Sequence, residues 1–241
     1  SLIRTSYFGT ASYDQILQLD LDKQDNVFVV GHSKGNMPVK GSVYSNTNGK
    51  QFVSKFNREL DALEYSTVYG SGSAIPDITI NAFLVDECGK IYVSGWGSDD
   101  VSKNSWSLRN MPITPDAYQK TTDGKDFHLC VFEKNMESLI FGSYFGGSTT
   151  GDHVDGGTSR FDKRGIIYQS VCSSCPQNSF TSRISDFPTT SGAYSEKNPS
   201  PRCSNASFKM AFVPFNLKPE LSEAVHITDV ADTITVAVFD T

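Results

Sequence analysis

Short β-branched and aromatic runs punctuate the chain. Val27-Phe28-Val29-Val30, Ile91-Tyr92-Val93-Ser94 and Ile167-Tyr168-Gln169-Ser170 each read as a strand. A second kind of run leads into an Asp, as Asn81-Ala82-Phe83-Leu84-Val85 does before Asp86. A third is centred on Phe56 or Phe132, and a fourth precedes a Tyr-Phe-Gly element. Phe208, Met210 and Phe212 alternate as strand residues do. No stretch carries a convincing helical period, so the pattern predicts an all-β protein.

These runs form a repeat. Tyr144-Phe145-Gly146-Gly147 answers to Val68-Tyr69-Gly70-Ser71 and to Tyr7-Phe8-Gly9-Thr10. Asp162, Asp86 and Asp22 correspond, and six residues after each stands an aromatic: Tyr168, Tyr92 and Phe28. Phe187-Pro188-Thr189-Thr190 matches Met111-Pro112-Ile113-Thr114 and the shorter Met37-Pro38, while Ala193-Tyr194 matches Ala117-Tyr118 and Val43-Tyr44. Tyr144 lies 76 residues after Val68, Asp162 lies 76 after Asp86, and Pro188 lies 76 after Pro112. One offset held across separate landmarks marks a true tandem repeat.

The predicted units span 9–69, 70–145 and 146–217, with Leu2 to Phe8 copying the last strand of a unit. Each Asp opens a tight turn: Asp86-Glu87-Cys88-Gly89, Asp162-Lys163-Arg164-Gly165, and a first copy with Asp25 in the Gly place. Asp at the first position bonds the backbone ahead of it, and Gly89 or Gly165 accepts a left-handed conformation. An Asp recurring once per unit is turn chemistry rather than catalysis. Four short strands per repeat describe a blade of a β-propeller, with a sandwich of hairpins or a solenoid as alternatives. Closed propellers use about 4–8 blades, so three units imply further blades outside this stretch, the favoured reading, or an open array with capped ends. Residues 218–241 read as a linker and the first strand of a following β module, in which Ile234, Val236 and Val238 alternate with Thr and Ala.

A net charge of −6 with scattered Lys and Arg disfavours nucleic acid, and no apolar run is long enough for a membrane helix. Five Cys leave at least one thiol outside any bridge. A disulfide joining Cys203 to Cys175 or Cys172 would staple the long third loop, and Cys175 with Cys203 is the candidate pair. Cys88 and Cys130 fall in one unit and form a second potential pair, or are equally two buried thiols. Cys172, Cys175, Cys203 and His153 offer zinc-type ligands, although only one C-x-x-C is present. Asp152, Asp155, Gly156 and Gly157 hint at calcium without the alternating donors of an EF-hand loop. Unit two carries extra residues from Trp96 to Asn110, and unit three from Cys172 to Asp186. Both insertions leave equivalent strands, so Trp96 and Trp106 are candidates for a binding face, or simply cap their blade. No nucleophile motif is visible, and His128, His153 and His226 read as isolated surface or core residues.

The combination Tyr-Phe-Gly-Gly, Asp-x-x-Gly-x-x-Tyr, Phe-Pro-Thr-Thr and Ala-Tyr resembles the β-propeller repeats called SBBP. GDHVDGGTSRFDKRGIIYQSVC-x-x-C, followed by DFPTTSGAYS and a later Cys, is similar to large cell-surface proteins of Bacteroidetes that are gliding-motility-associated or carry PKD domains. The resemblance implies export by the type IX secretion system to an oxidising surface location, PKD modules downstream, and no enzymatic role or cofactor. Asp232-Thr233-Ile234 also resembles a Bacteroidetes O-glycosylation sequon. The expected function is a binding or structural module for adhesion, gliding motility or assembly with an outer-membrane complex, its partner a protein or a glycan. The alternatives are a polysaccharide lyase or glycosidase with its site at the propeller funnel, and a lectin using Trp96 or Trp106.

Overall fold

The computed structural model describes residues 1–97, 108–154, 159–176 and 184–212. They form three four-stranded antiparallel sheets. The first is β1 (Asp14–Leu21), β2 (Val27–Ser33), β3 (Gln51–Phe56) and β4 (Leu63–Tyr69), each paired with the next. The second repeats this order with β5 (Thr79–Val85), β6 (Ile91–Trp96), β7 (Phe127–Phe132) and β8 (Leu139–Phe145). In the third, β9 (Gly151–His153) and β10 (Ser159–Phe161) both pair with β11 (Ile167–Cys175), whose other edge holds β12 (Ser204–Met210). No helix among the described residues is long and apolar enough to cross a membrane.

The sheets share a register. Val27 faces Phe56, Ile91 faces Phe132 and Ile167 faces Met210. Met210 thus occupies the place that sequence likeness assigns to Phe215, which lies outside the described residues. The first two sheets also share an irregularity. A bulge between Ile16 and Gln18 sits opposite Gly31, and one between Ile80 and Ala82 sits opposite Gly95. At Gly31 a Cβ would collide with the Gln15 carbonyl, so the bulged strand can cross only where no side chain stands.

Alternation then explains the burial. Phe28, Val30 and Val53 pack with Ile78, Ile91, Val93 and Phe132 in a core between the first two sheets. Phe127, Leu129 and Phe145 join Ile167, Val171 and Phe187 in a second core between the second and third. The middle sheet is therefore covered on both faces, and every residue of β7 is buried. Val29, Phe52 and Val68 point to the far face of the first sheet, where Phe8 sets its ring 5.0 Å from that of Phe56.

Two expectations are corrected. Residues 2–8 copy β4 and β8 in sequence yet form no strand, and Leu2, Ile3 and Tyr7 are exposed. A strand is a property of a pair, and this segment pairs with no described strand. Cys88 and Cys130 are not bridged. Cys88 is exposed in the turn after β5, whereas Cys130 is buried in mid-β7 between Val93 and Gly142.

Candidate functional sites

The turn carboxylates hold the same bonds in every sheet. Asp22 Oδ1 accepts from Gln24 N (2.9 Å) and Asn26 N (3.0 Å). Asp86 Oδ1 accepts from Cys88 N and Lys90 N, both at 2.8 Å, and Asp162 Oδ1 accepts from Arg164 N (2.9 Å) and Ile166 N (3.1 Å). Asp25, Gly89 and Gly165 take the left-handed place with φ of 62°, 86° and 77°. The aromatic six residues later completes the unit: Tyr92 donates to Asp86 Oδ2 at 3.1 Å and Tyr168 to Asp162 Oδ2 at 3.4 Å. Phe28 has no hydroxyl. Lys55 replaces it, pairing with Asp22 at 3.3 Å while standing 5.3 Å over the Phe28 ring. The Arg164 guanidinium beside Asp162 holds that carboxyl below its usual range.

A second recurring Asp escaped the sequence reading. Asp14, Asp77 and Asp152 each accept the N–H of the residue after the Tyr-Phe-Gly element: Thr10 at 2.5 Å, Ser71 at 3.0 Å and Gly147 at 2.7 Å. Each carboxylate ties the segment after that element to the start of the sheet that follows, and for Asp77 and Asp152 that segment links two sheets. Asp152 does more, because its other oxygen accepts from Ser174 N at 2.9 Å inside β11. Burial pushes its carboxyl up to about 7, and the same cause pushes Asp126 to about 7. Asp126 is completely buried, accepts the Thr122 hydroxyl at 2.5 Å, and leaves Oδ1 without a partner. Asp152, with its oxygens committed to backbone N–H groups, is the one calcium candidate within the described residues. Asp155, Gly156 and Gly157 lie outside them.

The cysteine cluster comes from strand register. Cys175 and Cys203 form a disulfide. The insertion of unit three begins later than expected, since β11 continues through Cys175. Cys172 faces His153 across one edge of β11 and Asn205 across the other. Cys172 Sγ lies 3.6 Å from Cys175 Sγ, which lies 3.9 Å from His153 Nδ1. His153 is therefore not isolated. His128 is a core residue: its Nε2 meets the Pro112 carbonyl at 2.8 Å, and burial lowers its pKa to about 4. His226 lies outside the described residues.

Of the two candidate tryptophans, Trp96 ends β6 half-buried against the second core, its ring 5.7 Å from that of His153. Trp106 falls outside the described residues. The open apolar surface lies elsewhere. A groove beside β12 is lined by Tyr118, Phe145, Phe187, Phe208 and Phe212, with Asn198 and Asn205 among its polar groups. Phe145 anchors it, 4.5 Å from Phe208 and 5.4 Å from Phe187 between ring centroids. Aromatic walls with a few amides suit a ligand that has apolar faces and hydroxyls. Comparison of the chain with protein-family models and with curated proteins finds no match to either.

Proposed function

We propose that the chain is a non-catalytic binding or structural module. It is a run of propeller-type blades of the SBBP kind, from an exported surface protein that serves adhesion, gliding motility or assembly with an outer-membrane secretion complex. One observation carries this reading: the recurring carboxylates are spent on backbone. Asp22, Asp86 and Asp162 close turns, and Asp14, Asp77 and Asp152 pin the segments that lead into the sheets. Carboxylates so engaged hold shape, and a repeat of this kind is a scaffold for loops. The Cys175–Cys203 bridge supports an oxidising destination. Antibody labelling of intact cells, before and after external protease, tests the location. Surface labelling that protease removes supports the proposal, and labelling that appears only after lysis refutes it.

The aromatic groove favours a second reading, a carbohydrate-binding face. Its test is a glycan array with the native chain and with Tyr118→Ala, whose ring is exposed at the groove. Glycan binding lost in that variant makes the module a lectin, and turnover of the bound glycan makes it a carbohydrate-active enzyme. Binding of neither kind leaves protein partners as the target.

A further inference from the structure

We propose that His153, Cys172, Cys175 and Cys203 form, in the reduced chain, a four-ligand site for a soft divalent cation, zinc foremost. The inference is independent of the functional reading above.

The argument begins with strand geometry. Residues three apart on a regular strand point to opposite faces, so Cys172 and Cys175 should not meet. They meet because β11 carries one extra residue. Cys172 faces His153 and Cys175 faces Gly151, so three steps along β11 match two along β9. The bulge returns Cys175 to the face that Cys172 and His153 share. Ser174 absorbs the extra residue with a φ of 54°, a region that a non-glycine residue enters at a cost. Its N–H is held by Asp152, next to His153. Cys203 comes from the opposite edge, one residue before Ser204, which faces Ser173.

The donor spacing fits the cation. A tetrahedral zinc with Zn–S of about 2.3 Å and Zn–N of about 2.0–2.1 Å sets sulfurs about 3.8 Å apart and sulfur and nitrogen about 3.6 Å apart. The observed separations are 3.6 Å for Cys172 to Cys175 and 3.9 Å for Cys175 to His153. The donor atoms of His153, Cys172 and Cys175 all lie within 4.8 Å of one another. Cys203 supplies the fourth ligand once its bond to Cys175 is broken. A dithiol delivers two electrons and two protons to that bridge and leaves as its own disulfide. Binding of the cation by His153 and three thiols then releases three protons. Three thiolates and an imidazole select zinc or its cobalt surrogate over hard cations such as magnesium. Bridge and cation are thus alternative ways of tying Cys203 to β11, and the cation adds β9 through His153.

The test titrates Co²⁺ into the reduced, metal-free chain and follows thiolate-to-cobalt charge transfer and the ligand-field bands. The expected result is saturation at one cobalt per chain, a tetrahedral spectrum, and displacement by one zinc. Cys172→Ser and His153→Gln should each weaken binding by more than about 100-fold, beyond the usual cost of losing a supporting residue. Cys88→Ser should titrate like the native chain. Cys172→Ser leaves the bridge intact, so circular dichroism of its oxidised form checks that it folds. His153→Gln decides if it does not. An octahedral solvated-cobalt spectrum, or a Cys172→Ser variant that binds as the native chain does, would overturn the proposal.

Discussion

Replacing Asp86 by Ala removes one turn carboxylate and nothing else. Three bonds are lost, those from Cys88 N and Lys90 N at 2.8 Å and from the Tyr92 hydroxyl at 3.1 Å. Each is worth about 0.5–1.5 kcal/mol net. The turn is half exposed, so water recovers part of the two N–H groups, while the Tyr92 hydroxyl is left against the third sheet. The expected loss is about 2–3 kcal/mol, or about 5–10 °C in Tm for a chain of this size. Asp86→Asn keeps the Oδ1 acceptor and should recover more than half of it. Urea denaturation of native, Ala and Asn chains gives the comparison. Equal stability of all three, or an Asp86→Ala chain that loses partner binding at undiminished stability, would refute the claim that this Asp maintains shape.

Three further outcomes are expected. Gly31→Ala drives a Cβ into the Gln15 carbonyl across the β1 bulge and should cost about 1–3 kcal/mol in the same denaturation assay. Cys203→Ser opens a loop closed over a separation of 28 residues and should cost about 3–4 kcal/mol in metal-free buffer, an effect that reductant reproduces in the native chain and not in the variant. Asp126 has a folded pKa near 7, above its unfolded value, so between about pH 4 and 7 the folded chain holds the extra proton. Stability from this group therefore falls as pH rises through that window, and Asp126→Asn should flatten the fall and stabilise the chain at pH 8, read by denaturation midpoints at pH 5 and pH 8.

Much of the architecture was legible because turn chemistry is local. Asp, a left-handed residue three positions on and an aromatic three beyond that all act within one hairpin, so their spacing survives in sequence. The link-pinning Asp is less regular. Asp14 follows Thr10 by four residues, Asp77 follows Ser71 by six and Asp152 follows Gly147 by five. The loops between absorb the difference, and no fixed offset betrays the role. Residues 2–8 and Phe215 misled for a related reason: likeness of side chains does not enforce pairing, and register placed Met210 where Phe215 was expected. The meeting of His153, Cys172 and Cys175 rests on a one-residue bulge, which strand periodicity does not announce. Comparison of the units marked Trp96 as the start of an insertion, although it ends β6 and packs inward.

The most direct test is a crystal structure of the chain that resolves the carboxylates at 22, 86 and 162. The expected result is three sheets in common register, each of these Asp side chains accepting two backbone N–H groups of its own turn. Three carboxylates turned toward one solvent-lined cavity, or engaged with a bound ligand instead of their turns, would contradict it.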